Sequence, residues 1–237
     1  MPEKFGIIGE IIKRSMKATE HKSYDEKPDN YYVQGRPEMV ERVPESAKKV
    51  LDIGCSTGAF GRLLKEKRPD VTVWGVEMHG PTAKAAAKHL DKVLSKSIED
   101  AVGELPKGAF DAIVFNDVLE HLIDPVAVLE MIKPLLSKDG VVISSIPNIR
   151  YYYNLTHMIF EKDFRYEDDG IRDHTHVRFF TDKSIRRMYE ETGYQVVSHD
   201  GIAEIPGWKF ALARRLAFGL LDDAAYMQFA TVAKLTK

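Results

Sequence analysis

The sequence predicts an α/β fold: a doubly wound, mostly parallel, seven-stranded sheet with a helical lid insertion. Two observations carry this. From Val50 onward, apolar runs of strand length, bounded by turns, alternate with helical segments, the pattern of a βαβ series. The first of those runs leads straight into a glycine-dense turn, V-L-D-I-G-C-S-T-G-A-F-G from Val50 to Gly61. A chain of 237 residues, 44% apolar and 30% charged, is long enough for one large domain of this kind.

Taken in order, residues 3–17 place Ile8, Ile11, Ile12 and Met16 at helical spacing and predict a short amphipathic helix. Residues 18–30 are polar and read as a loop. Tyr31-Tyr32 and Arg36-Pro37-Glu38 lead into a short helix that ends before Pro44. Residues 1–45 therefore read as an N-terminal helical segment and 46–237 as the main domain. Strands are expected at 49–54, 71–77, 92–96, 110–116, 140–146, 194–203 and 226–235, and helices at 59–67, 81–89, 125–136 and 182–192. Asp124-Pro125 offers a cap followed by proline at the first helical position. Thr181 or Asp182 caps the next helix, Ile185, Met188 and Tyr189 form its buried face, and Gly193 stops it. Two insertions break the alternation. Residues 147–180 hold Tyr151-Tyr152-Tyr153, a helix to about Phe160, an acidic run and Asp173-His174-Thr175-His176; a long insertion after a strand is often a functional lid. Residues 205–222 resemble an amphipathic helix before the last strand.

The composition excludes several classes. A net charge of −2 gives no stripe for nucleic acid, and the pairs Arg186-Arg187 and Arg214-Arg215 suit a solvated face. The single cysteine, Cys55, rules out an intrachain disulfide, argues against a Cys-based zinc site and fits a reducing compartment. Glu3, Lys4, Glu10, Lys13 and Arg14 interrupt any signal-peptide core, and no apolar run approaches the roughly 20 residues of a membrane span. The expectation is a cytoplasmic protein acting on a small molecule, with a homodimer left open.

In an open parallel sheet, ligands bind beyond the carboxyl ends of the strands, and the turn after the first strand is the closest backbone approach to that crevice. Gly54 and Gly58 leave room for a ligand there, and the helix starting near Ala59 points its positive end at it. The glycines at 54, 58 and 61 do not match the dinucleotide pattern G-x-G-x-x-G, whose middle glycine is here Ser56. Asp52 would repel a pyrophosphate at this spot. It favours a ligand carrying positive charge, such as S-adenosylmethionine with its ammonium and sulfonium. Glu77, ending the strand in W-G-V-E, is placed to accept hydrogen bonds from two ribose hydroxyls.

At these residues the chain resembles the class I S-adenosylmethionine-dependent methyltransferases. V-L-D-I-G-C-S-T-G resembles the family's first motif, and F-D-A-I-V-F-N-D-V-L-E-H-L (110–122) its fourth-strand motif, within a likeness covering about residues 31–200. S-I-P-N-I-R and D-H-T-H-V-R-F-F-T resemble segments of bacterial enzymes found beside glycosyltransferases, which are thought to methylate sugars of surface polysaccharides. The resemblance implies a Rossmann-like fold with an antiparallel last strand and an N-terminal segment, with Tyr31, Tyr32 and Arg36, laid over the cofactor. It implies that Asp52, Gly54 and Gly58 surround the methionine end, with Cys55 and Ser56 of the same turn among the cofactor residues. Glu77 would hold the ribose and Met78 pack on the adenine. Ser97 and Ile98 would flank the adenine, with Glu99 close by, and Asn116 and Asp117 would face the methionine moiety or the methyl group. Ser56 departs from a usual glycine, and Ser97 from a common Asp that binds the adenine amine.

Methyl transfer is an in-line displacement whose catalysis rests largely on positioning, and a hydroxyl acceptor must also lose a proton. His176, His121 and Asp117 are the candidate catalytic residues, although His121 could equally fix the turn before Asp124. Asn148 and Arg150, after the fifth strand, and His174 and Arg178, in the lid, are the candidate substrate contacts. Arg150 suits an anionic group such as a nucleotide-sugar phosphate. Phe179 and Phe180 read as core. The cluster Glu167, Asp168, Asp169, Asp173, His174 and His176 invites a metal reading, but adjacent loop acids are usually solvated, and no metal is expected. The function expected is O-methylation of a sugar or nucleotide-sugar hydroxyl. The alternatives are N- or carboxyl-methylation of another small metabolite, or a cofactor-binding module without turnover.

Overall fold

A computed structural model describes residues 35–205 and 208–236. The predicted helix 3–17, the loop 18–30 and Tyr31-Tyr32 lie outside the described residues. The described elements are α1 (Pro37–Val40), β1 (Lys49–Ile53), α2 (Ala59–Lys67), β2 (Thr72–Val76), α3 (Gly80–Ala86), β3 (Lys92–Leu94), α4 (Ile98–Ala101), β4 (Phe110–Asn116), α5 (Pro125–Ile132), β5 (Leu136–Pro147), α6 (Tyr152–Thr156), α7 (Asp182–Glu191), β6 (Tyr194–Glu204), α8 (Trp208–Leu216) and β7 (Tyr226–Leu235).

The strands form one seven-stranded sheet in the order β3-β2-β1-β4-β5-β7-β6. β1 to β5 pair in parallel, while β7 runs antiparallel between β5 and β6. The order reverses between β1 and β4, so a crevice opens at their carboxyl ends. Asp52 pairs in register with Gly75 on one side and Val114 on the other, which sets it at the floor of that crevice.

Alternation along the strands divides the core between the two faces of the sheet. One side buries Leu51, Phe110, Ile113, Leu129, Ile185 and Tyr189; the other buries Val50, Phe60, Leu64, Val73, Val114 and Ile143. The caps act as the sequence suggests. Asp124 accepts the Ala127 N–H at 2.9 Å, and Thr181 and Ser184 form a reciprocal capping box at the start of α7.

The differences from expectation have local causes. The helix expected at 125–136 ends at Ile132 because Pro134 cannot continue it, and the chain tightens into a 3₁₀ turn over Lys133–Leu135. β5 is longer than expected because Leu136 already pairs with Phe110 of β4, ahead of an irregularity in the register, and β7 carries the pairing on to Pro147. α4 was not expected; Ser97 caps it, accepting the Asp100 N–H at 3.3 Å. In the first insertion α6 passes into a wider π turn over His157–Glu161. The loop after it returns through bridges that join Asn148 to Phe180 and Glu167 to Asp173. The second insertion forms α8. Among the described residues, no helix is long and apolar enough to cross a membrane.

Candidate active site

The turn after β1 is built from three left-handed residues, Gly54 (φ 69°), Ser56 (φ 50°) and Gly58 (φ 80°). A Cβ at Gly54 would stand 2.5 Å from Val118 Cγ2, so only glycine fits beneath the turn after β4. The backbone N–H groups of Gly54 and Cys55 both donate to the Val76 carbonyl, at 2.8 and 3.1 Å. Glu77 completes the junction: its carboxylate oxygens accept the Ser56 N–H and the His79 N–H, each at 2.8 Å. Burial raises the Glu77 carboxyl above its ordinary range, and the backbone donors pull against that shift.

Asp52 is 2% exposed, and its Oδ1 has no hydrogen-bond partner. Burial, followed by the neighbouring Glu77 charge, pushes its carboxyl well up. Both polar side-chain atoms of Asn116, at the end of β4, are likewise buried without partners. Asp117 follows in a left-handed conformation (φ 55°) and gathers three contacts: Ser145 Oγ donates at 3.0 Å, Gln228 Nε2 at 2.9 Å, and Arg36 forms an ion pair. Burial raises the Asp117 carboxyl, while Arg36 opposes the shift. The Cys55 thiol is buried and pushed up by burial, Asp52 and Glu77, so it acts as packing rather than as a nucleophile.

These residues open into one cleft of about 1210 Å³. Of the expected cofactor residues, Asp52, Gly54, Cys55, Ser56, Glu77, Met78, Ser97, Ile98, Asn116 and Asp117 all line it. Gly58 sits behind the lining as the cap of α2. The Ser97 hydroxyl is engaged at its own helix start, donating to Asp100 Oδ2 at 3.0 Å. S-adenosylmethionine fits what is present: orphaned buried acceptors at Asp52 and Asn116 suit its cationic amino-acid end, and the floor at Gly54 has no space for a side chain.

The lid contributes to the same cleft. Glu120 and His121 lie in a 3₁₀ turn over Leu119–His121, and His176 comes from the first insertion. The His121 and His176 rings meet edge to face with centroids 4.7 Å apart. His176 Nδ1 is 2.9 Å from the Ile171 carbonyl, and His121 Nδ1 is 3.2 Å from the Thr175 carbonyl. Glu120 is 1% exposed, and neither carboxylate oxygen has a hydrogen-bond partner. Burial, then Asp117, pushes its carboxyl well above the usual range. The Glu120 carbonyl accepts N–H bonds from Val177 and Arg178, both at 3.0 Å, which straps the lid to the turn.

The structure places the four expected substrate contacts elsewhere. Asn148 is fully buried; its Nδ2 donates to the Asp223 and Tyr226 carbonyls at 2.8 and 3.0 Å. Arg150 donates to Asp223 Oδ2 at 2.6 Å and to the Leu220 carbonyl at 2.8 Å. Both are turned away because β7 pairs with β5 up to its last residue and carries the second insertion with it. His174 is half-exposed against the Glu167 carbonyl at 3.2 Å, and Arg178 donates to the Ile123 carbonyl; neither lines the cleft. Phe180 is core as expected, but Phe179 is 37% exposed. The acidic run does not converge on a centre: Glu167 pairs with Arg172, and Asp173 Oδ1 accepts the Thr175 N–H and hydroxyl at 2.9 and 2.8 Å. Sequence reasoning missed Glu120 and Gln228. Glu120 stood in the motif at 110–122; Gln228 had no local signal.

Comparison with known proteins agrees with this geometry. A family model described as "Methyltransferase domain" matches residues 24–199. A ubiquinone biosynthesis O-methyltransferase of Psychrobacter arcticus is 27% identical over 171 residues, covering 69% of this chain. The chain spans 65% of that relative's length, just under two thirds. A SAM dependent methyltransferase from Archaeoglobus fulgidus superposes with a TM-score of 0.63 at 18% identity, covering 84% of this chain and 91% of the other. The plantazolicin methyltransferase BamL, solved with SAH, superposes with a TM-score of 0.60 at 15% identity, covering 96% and 99%. This chain belongs to the methyltransferase-domain family and has the class I, S-adenosylmethionine-dependent form of its fold.

Proposed function

We propose that this chain transfers a methyl group from S-adenosylmethionine to a hydroxyl oxygen of a small acceptor held beneath the lid. One observation carries the reading. A single cleft joins the orphaned acceptors Asp52 and Asn116 to the buried Glu120, His121 and His176 cluster, which is the chemistry of a cationic donor next to a place where a proton is handled.

When bound, the cofactor supplies a methyl group already activated on a sulfonium. Asp52 and Asn116 would hold its amino-acid end. Glu77 keeps lone-pair capacity for ribose hydroxyls beyond what it gives to Ser56, His79 and Thr82. Met78 and Ile98 supply apolar surface for the base. Asp117, already engaged by Arg36, Gln228 and Ser145, positions the turn rather than taking a proton. The acceptor's proton is assigned to the cluster, where His176 arrives on the lid. Oxygen is favoured over nitrogen because the curated relative is named an O-methyltransferase. The sugar reading rested on segments 145–150 and 173–181, and their Asn148, Arg150, His174 and Arg178 brace the insertions here; sugars therefore enter the test beside phenolic acceptors.

The test is calorimetric titration with S-adenosylmethionine and, separately, NAD, followed by transfer of labelled methyl to phenols, nucleotide sugars and amines. Binding of S-adenosylmethionine alone, and labelled product from a hydroxyl acceptor, is the expected result. Binding without transfer to any class would favour a cofactor-binding module. Label on amines only would refute the oxygen acceptor. His176→Ala should lower turnover by at least about a hundredfold, within the range for lost proton handling, while cofactor affinity stays within about threefold.

A further inference from the structure

Glu120, His121 and His176 each offer one ligand atom, and these atoms all lie within 4.8 Å of one another. All three residues are buried, and they come from two separate segments brought together by the fold. The Glu120 carboxylate is the independent pointer to a ligand: it lines the cleft, is 1% exposed and has no hydrogen-bond donor on either oxygen. His176 Nε2 stands 4.0 Å from Glu120 Oε1, too far for a hydrogen bond. That distance is close to the roughly 3–4 Å separating two ligand atoms that share an ion through bonds of about 2.1 Å.

The imidazoles are oriented for this. A carbonyl oxygen can only accept, so the Ile171 and Thr175 carbonyls hold the proton on Nδ1 of His176 and His121. Nε2 is then the ring nitrogen that bears the lone pair, and that of His176 stands on the Glu120 side. A backbone carbonyl on the other ring nitrogen is the usual partner of a metal-ligating histidine.

We propose that Glu120, His121 and His176 form a divalent transition-metal site whose open coordination positions face the cleft. Two imidazoles and one carboxylate suit Zn²⁺, Mn²⁺ or Fe²⁺ rather than Mg²⁺ or Ca²⁺, which prefer oxygen ligands. The ion ties the lid to the turn after β4. An acceptor hydroxyl bound at an open position would lose its proton to solvent more readily, as metal-bound water does. This last role rests on the methyl-transfer reading; metal binding itself does not.

The experiment strips the full chain with chelator and titrates it with ZnCl₂, MnCl₂ and MgCl₂ separately, alongside S-adenosylmethionine. One Zn²⁺ or Mn²⁺ per chain is expected, bound more tightly than Mg²⁺. Glu120→Gln and His176→Gln should weaken it by at least tenfold, with cofactor affinity within about threefold. No binding by the wild type, equal affinity in both variants, or a preference for Mg²⁺ would overturn the site. If either variant also loses the cofactor, pulsed electron paramagnetic resonance of the Mn²⁺-loaded wild type decides: coupling to histidine nitrogen supports the site, and its absence overturns it. A failed acceptor screen would undercut methyl transfer and leave the metal titration intact. A failed titration would remove the ion and leave cofactor binding intact.

Discussion

Arg36 and Asp117, 81 residues apart in the chain, form an ion pair in the lining of the cleft. Gln228 bridges them, accepting from Arg36 Nη2 at 2.8 Å and donating to Asp117 at 2.9 Å. Residues from before β1, after β4 and in β7 are thus joined in the lining of one cleft. The Arg36 side chain is 10% exposed and that of Asp117 30%, so the pair is screened less than a surface pair but not fully dry. Arg36→Ala should cost about 1–2 kcal/mol, between the surface and buried limits. Thermal unfolding checks this; an unchanged midpoint would show that the pair contributes nothing.

Glu77 holds the two donors that shape the cofactor turn. Glu77→Ala leaves the Ser56 and His79 N–H groups without their acceptor, and each lost buried partner costs about 1–3 kcal/mol. Destabilisation of about 2 kcal/mol or more is expected together with weaker cofactor binding. Full stability with weaker binding would mean that Glu77 serves the ligand alone.

Gly54→Ala combines a positive φ with an approach of 2.5 Å to Val118. Left-handed strain and overpacking together should destabilise by about 2–4 kcal/mol. Denaturant unfolding reads this directly, and a loss under about 1 kcal/mol would mean that the turn can shift.

Asp52 should set function against stability. Its folded carboxyl is raised, so the folded state keeps a proton that the unfolded chain releases above about 3.9. Its stabilising contribution is full below that value and is lost as pH rises through the folded pKa. Asp52→Asn should therefore unfold no more easily than the wild type at neutral pH without ligand, and show a flatter pH dependence. It should bind S-adenosylmethionine at least about tenfold more weakly, or about 1.4 kcal/mol. Unchanged affinity would remove Asp52 from the site.

His199 works in the opposite sense. Burial, then the Arg186 charge, lowers its pKa to about 4, against the pull of Asp182. Its ring stacks on Phe229 with centroids 4.9 Å apart. The unfolded imidazole protonates near 6.5, so the contribution is present above that value and is lost as pH falls toward 4. Acidification across this window should remove up to about 3 kcal/mol. His199→Gln should abolish most of that slope in unfolding measured from pH 7 to 4.

Local pattern revealed much of the fold. β4, α2 and β7 occupy the expected ranges because their boundaries rest on turns and caps written into adjacent residues. That Asp52, Gly54, Glu77 and Asn116 line one cleft was equally legible, since all sit at strand ends or in the turn beside them. The acceptor half was not. Asn148 and Arg150 follow a parallel strand, as ligand-binding residues often do. The antiparallel arrival of β7 covers that end and turns both into braces for Asp223.

The sequence by itself determined the alternation of strands and helices, the left-handed turn and the placement of acidic groups at two strand ends, because these depend on residues a few positions apart. Only the tertiary structure decided that Glu120 and His121 meet His176, that Arg36 closes on Asp117 and Gln228, and that four polar lid residues face away from the cleft. Those outcomes depend on which strand lies beside β5 and how the insertion returns to Glu120. Such long-range packing leaves no periodic trace in the chain.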